Sequence, residues 1–171
     1  MLRLAKAFFD IALGRQTPAH LPASMFLLAL VACAAALLEV LGALLHPGPN
    51  DGIVLRILLG VGLPVAYTSA VLALARRRQR FLQTAIALLG IGVLAEVVLY
   101  PLCALLRVIS AERFASIPLE LLFYAGFIWY LLACANIWRA ALDSGLILGG
   151  LISVAYLVLL IALEQQLLPQ T

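Results

Sequence analysis

The chain has 171 residues, of which 65% are hydrophobic and 11% charged, and its net charge is +3. Soluble domains use about 45–50% apolar and about 25% charged residues, so this composition excludes an ordinary soluble domain and predicts an integral membrane protein. The length accommodates several spans of about 20 residues in a single membrane domain, 1–171. Basic residues are not interleaved with aromatic ones, which argues against a nucleic-acid partner.

Residues 2–13 have the pattern of an amphipathic helix, with Phe8 on the apolar face and Arg3 and Lys6 on the polar face. A secretory signal peptide is the competing interpretation. The apolar stretch is short and interrupted by a charge, and no convincing cleavage site follows it. We therefore predict a helix lying in the cytoplasmic membrane surface, anchored by Phe8 and Phe9.

Five apolar stretches follow, each long enough to cross a bilayer. The prolines and glycines of 46–52, the arginines of 76–80, the polar connection 110–116 and Asp143-Ser144-Gly145 separate them. The predicted spans are 23–45, 53–75, 81–107, 117–141 and 145–167. The sequence thus predicts an all-α integral membrane protein with five transmembrane helices and an N-terminal amphipathic interfacial helix.

The distribution of Lys and Arg predicts the orientation. With the N-terminus inside, eight of the eleven basic residues lie on the cytoplasmic side. We therefore predict a multi-pass protein of the cell inner (plasma) membrane, with a cytoplasmic N-terminus and an external C-terminus. Orientation is the first role of this basic face, and binding of anionic lipid headgroups or an acidic partner is the alternative. The basic cytoplasmic face comprises Arg3, Lys6, Arg76, Arg77, Arg78 and Arg80.

Two glutamates lie inside predicted spans, where an unpaired charge is costly. Glu39 lies about 10 Å from the outer end of the first span and Arg56 about three residues from the outer end of the second, a gap that an Arg side chain can cross. This predicts an ion pair between them. Glu96 lies deeper in the third span. It adjoins the carbonyl of Val97 that Pro101 leaves without a donor, which predicts a polar spot formed by Glu96 and Pro101. These charges indicate helix registration, an ion or proton pathway, or contact with a partner span.

Proline and glycine indicate two further features of the helices. Pro64 leaves the carbonyl of Gly60 without its helical donor, which predicts a distortion in the second span. Gly145 and Gly149 form a small-xxx-small pattern in the fifth span, which predicts close helix packing, with self-association as the alternative.

The sequence contains no pattern typical of a catalytic or metal site. Cys33, Cys103 and Cys134 each lie in an apolar stretch without metal-ligand spacing, and His20 and His46 fall in loops on opposite sides. Motifs of serine hydrolases, zinc proteases and phosphate-binding loops are missing. We therefore predict a non-enzymatic protein without catalytic, cofactor-binding or metal-binding residues.

The order of the elements resembles that of a known family. An Arg80-Phe81 entry to the third span leads to Leu89-Gly90, and an aromatic fourth span runs into Trp138-Arg139-Ala140-Ala141. This arrangement is similar to the Yip family of five-span, Rab-interacting-type membrane proteins, in its small bacterial form. The resemblance implies the five-span fold. The Asp-Leu-Tyr-Gly-Pro motif of eukaryotic members is not found in this sequence.

Two functions are consistent with these features. The first is an adaptor or accessory subunit of a membrane complex, whose spans and basic face bind lipids, other membrane proteins or a second copy of the chain. The alternative is a small channel or permease that uses Glu39 and Glu96.

Overall fold

The computed structural model describes residues 8–45, 52–109 and 113–167, and these form helices joined by short turns, without a β-strand among them. Residues 8–12 form the described part of a first helix, α1. Of the longer helices, α2 is Met25–Leu45, α3 is Ile53–Leu74, α4 is Phe81–Ile109, α5 is Arg113–Leu142 and α6 is Leu146–Leu167.

Helices α2 to α6 are long and apolar enough to cross a membrane, judged by length and composition. The apolar stretch within each helix begins and ends within three residues of the limits of the corresponding predicted span. The prediction of an all-α chain with five such helices is therefore confirmed, and the composition is that of a multi-pass membrane protein.

Three helices end in the same backbone motif, which explains the sharp turns after them. Gly14, Arg76 and Asp143 have φ of 69°, 56° and 49°, the left-handed conformation that terminates a helix. After α3, the Arg77 amide donates to the carbonyl of Leu72 at 2.8 Å. These bonds satisfy carbonyls that the end of each helix leaves without donors.

Helix α3 contains one wide turn. Residues Leu58–Gly62 form a single π-helical turn, directly before Pro64. Proline removes a helical donor and its ring crowds the preceding turn, and a π turn accommodates both effects. The distortion predicted around Gly60 is confirmed.

Helices α3, α4, α5 and α6 pack in a closed ring, and α2 packs against α3 and α4. At the α5–α6 contact the two backbones approach closely, because a methyl group at Gly149 would overlap the carbonyl oxygen of Ala135. Gly149 is thus the small residue that brings these two helices together, whereas space remains around Gly145.

One face of the described part of α1 packs against the other helices. Phe8 is 9% exposed and its ring contacts Gly90, whereas Phe9 is 56% exposed. The prediction that Phe8 anchors α1 in the membrane surface is therefore wrong, because its ring is buried against protein. The interfacial position of the helix stays a prediction. The rest of the predicted helix, 2–7, lies outside the described residues.

Candidate functional site

A cavity of about 120 Å³ lies inside the ring of helices, and all five long helices contribute to its wall. We call it the central cavity. It contains a carboxyl group from each of three helices: Glu39 from α2, Glu96 from α4 and Glu164 from α6. Lys, Arg and His do not occur among the residues that line it. The part of the cavity wall that the structure describes is therefore acidic and has no basic side chain.

The three carboxyl groups interact electrostatically without sharing one tight site. Glu39 is within Coulomb range of both Glu96 and Glu164. No three His, Cys, Asp or Glu side chains in the described part of the chain are placed to hold one metal ion. The arrangement therefore spreads negative charge along the central cavity, unlike the compact cage that a divalent metal requires.

Glu39 packs against Gly60 in the π turn of α3. The Oε1 atom of Glu39 lies so close to Gly60 that a methyl group at this glycine would overlap it. A residue with a side chain at this position would push the carboxyl group away, so the contact requires the glycine.

Aromatic side chains form a second part of the wall. The Tyr67 hydroxyl donates a hydrogen bond of 2.9 Å to the carbonyl oxygen of Ile152, which ties α3 to α6. The Tyr67 ring lies 5.9 Å from that of Trp138, edge to face, and 5.3 Å from that of Tyr156. Tyr130 lines the central cavity from α5. These rings give the acidic cavity π faces that attract a cation.

Two polar atoms of the cavity wall are buried without a hydrogen-bond partner. They are Oγ1 of Thr68, a residue with 0% exposure, and Oε2 of Glu96. Buried polar atoms in proteins are nearly always satisfied, and exceptions concentrate at sites that bind something. Both residues line the central cavity, so both atoms are available to a ligand there.

The predicted Glu39–Arg56 contact is not formed. Among the side chains described, the ion pairs within 4.0 Å are those of Asp143 with Arg77 and Arg80. Arg56 is exposed and does not line the central cavity, whereas Gly60, one turn further along α3, contacts Glu39. The two charges keep only a longer-range Coulomb attraction.

Glu96 and Pro101 are not brought together either. Pro101 is exposed on the outer side of α4, as is Val97, whereas Glu96 lines the central cavity. Glu96 instead lines the central cavity together with Thr68 and Tyr130.

The described part of the predicted basic face is divided between paired and unpaired arginines. Arg77 and Arg80 both bind Asp143, and the Arg80 guanidinium also donates to the carbonyl oxygens of Ala140 and Ala141 at 2.9 and 3.1 Å. We call this region the Asp143 end. The hydrogen bonds from Arg80 and then Arg77 lower the pKa of Asp143 to about 2.

Four residues of the predicted basic face are not part of the Asp143 end. Arg76 and Arg78 are exposed and form no ion pair with a described side chain. Arg3 and Lys6 lie outside the described residues.

Sequence reasoning missed Glu164 and the tyrosines of the cavity wall. Glu164 fell inside the predicted span 145–167, so an intramembrane carboxyl group was visible there by the same rule that selected Glu39 and Glu96. The convergence of Tyr67, Tyr130 and Tyr156 depends on how each helix is rotated, and the nearly uniform apolar faces do not reveal that rotation.

We compared the chain with known protein families, curated proteins and solved structures. The chain matches no protein-family model, no curated protein and no solved structure. The resemblance to the Yip family therefore stays a prediction.

Proposed function

We propose that this chain is a small permease of the cell inner membrane that binds a monovalent cation in the central cavity. The observation that carries the proposal is that Glu39, Glu96 and Glu164 line one cavity, with no basic residue among its described lining residues. Glu39 and Glu96 are half-buried in apolar helices and need neutralisation by protons or by a bound cation, whereas Glu164 is exposed in the last turn of α6.

The side chains of the cavity wall indicate which class of cation fits. The absence of a three-ligand metal group among the described side chains argues against a tightly held divalent metal. An ammonium group suits the site better, because its N–H donors match the unpartnered oxygens of Thr68 and Glu96. The rings of Tyr67 and Tyr130 offer additional attraction to such a charge.

Potential-driven uptake of methylammonium into proteoliposomes tests the proposal. A potassium diffusion potential, negative inside, drives the cation and leaves neutral methylamine unaffected. We expect Glu39→Gln, Glu96→Gln and Glu164→Gln each to lower the uptake rate at least about tenfold, because each removes a charge that attracts the ligand.

Glu120→Gln is the matched control, since Glu120 is exposed on α5 and does not line the central cavity. This variant should retain wild-type uptake. Two results would contradict the permease proposal. One is wild-type uptake no faster than in protein-free liposomes, and the other is uptake at the wild-type rate by all three cavity variants.

The second candidate is an adaptor or accessory subunit that binds anionic lipids or a partner protein through a cytoplasmic basic face. Exposed Arg76 and Arg78, which have no ion-pair partner in the described part, favour it. A stoichiometric partner that co-purifies in mild detergent and is lost in Arg76→Gln/Arg78→Gln, together with absent methylammonium uptake, would favour the adaptor over the permease.

A further inference from the structure

A second cavity, of about 350 Å³, lies between α4 and α5, and we call it the side cleft. Its wall is mainly apolar, with Ala95, Leu99 and Cys103 from α4 and Phe127 from α5. These residues belong to the apolar stretches Arg78–Leu106 and Ile117–Leu142, away from the charged turns. The side cleft therefore opens at the depth of lipid chains if these helices span the bilayer.

The side cleft and the central cavity share part of their walls. Gly92, Glu96 and Tyr130 line both of them. Nothing lies within 4 Å of a methyl group placed at Gly92, so there is open space beside this shared residue. Glu96 is thus reachable from the flank of the bundle and from its interior.

We propose that the ligand is an amphiphilic monoamine that enters from the lipid bilayer through the side cleft. The inference rests on the proposed function, because it uses the same carboxyl groups. The ammonium group binds Glu96, whose Oε2 lacks a partner, and continues toward Glu39. The alkyl tail occupies the apolar wall formed by Leu99, Cys103 and Phe127.

This arrangement explains why one carboxyl group differs from the other two in its surroundings. Glu39 and Glu164 line only the central cavity, whereas Glu96 lies where polar and apolar walls meet. A ligand with a charged head and an apolar tail matches that boundary, and a small hydrated ion would leave the side cleft unused.

The test compares dodecylammonium with methylammonium, which carries the same head without the tail. Binding is read from the rise in melting temperature of the full chain in phosphatidylcholine nanodiscs, since a ligand that binds the folded state stabilises it. Dodecanol, which has the tail without the charge, should cause no such rise.

Cys103→Phe fills the side cleft, and Cys33→Phe is its matched control, because Cys33 is exposed and lines neither cavity. We expect Cys103→Phe to weaken dodecylammonium binding about tenfold and to leave methylammonium binding within about twofold. Cys33→Phe should change neither. Leu99→Phe narrows the same wall and replaces Cys103→Phe if that variant fails to fold.

The two proposals fail in different ways. Dodecylammonium that binds equally well to wild type and to the filled-cleft variants would overturn lateral entry and leave the central cation site standing. Methylammonium binding without dodecylammonium binding would do the same. Absence of binding by either amine would overturn both proposals.

Discussion

The Asp143 end and the central cavity differ in whether their carboxyl groups are paired with basic side chains. At the Asp143 end, one carboxylate meets two guanidinium groups, and Arg80 also satisfies the last carbonyls of α5. In the central cavity, three carboxyl groups have no basic side chain beside them among the described lining residues, and Oε2 of Glu96 has no hydrogen-bond partner. The carboxylate of the Asp143 end is thus neutralised by ion pairs, whereas the carboxyl groups of the central cavity are not neutralised by any described basic side chain.

This difference separates a structural role from a binding role. Asp143 joins the turn after α3 to the turn after α5, and its partners are fixed within the chain. The central cavity keeps polar groups that a stable apolar core would replace, a cost that proteins accept at functional sites. We infer that selection for a ligand, rather than for stability, accounts for Glu39, Glu96 and Glu164.

The largest stability effect is expected where α5 and α6 meet, because that contact supports both regions. Gly149→Ala places a methyl group on the Ala135 carbonyl oxygen, whose backbone position cannot yield easily. We expect a loss of about 1–3 kcal/mol in the free energy of unfolding. Gly150→Ala, next to it with free space around the added methyl, should be neutral or slightly stabilising. Similar melting temperatures for the two variants would contradict this packing.

The ion pairs of the Asp143 end are tested by the dependence of stability on pH. Asp143 has a pKa of about 2 when folded and about 3.9 when unfolded, so its contribution to stability is complete above about pH 4 and is lost as the pH falls toward about 2. Asp143→Asn removes this contribution. We expect this variant to melt below wild type at pH 7 and the difference to shrink across that window. A difference that stays constant with pH would show that the Arg77 and Arg80 contacts do not stabilise the fold.

The smallest stability effect, with a larger effect on binding, is expected at Gly60. Gly60→Ala displaces the Glu39 carboxyl group, and the flexible end of that side chain can move at little cost. Methylammonium affinity should fall while the melting temperature changes little. Gly62→Ala is the control, because no atom lies within 4 Å of the added methyl. Equal affinity in the two variants would place Glu39 outside the binding site.

The sequence predicted the elements of this fold closely because hydropathy and turn residues act locally. Span limits came from apolar length, and the distortion before Pro64 came from the missing amide. Gly14, placed after an amphipathic stretch, ends α1 as its type predicts.

Contacts between distant elements were not predictable in the same way. Asp143 pairs with arginines that lie 63 and 66 positions earlier, and its sequence context indicated only a helix break. Phe8 was assigned to a membrane surface because the sequence shows that its face is apolar, without showing whether lipid or Gly90 covers it. Glu39 was assigned to Arg56 because depth alone cannot give helix rotation.

The central claim is that the negative charge of the three carboxyl groups makes the central cavity bind a cation, and calorimetric titration of methylammonium tests it most directly. The proteins are wild type, the Glu39→Gln/Glu96→Gln/Glu164→Gln triple variant and the Glu120→Gln control, all in phosphatidylcholine nanodiscs. We predict that wild type and the control bind one cation with equal affinity, and that the triple variant binds at least about a hundredfold more weakly. Equal binding by the triple variant, or no binding by wild type, would contradict the account.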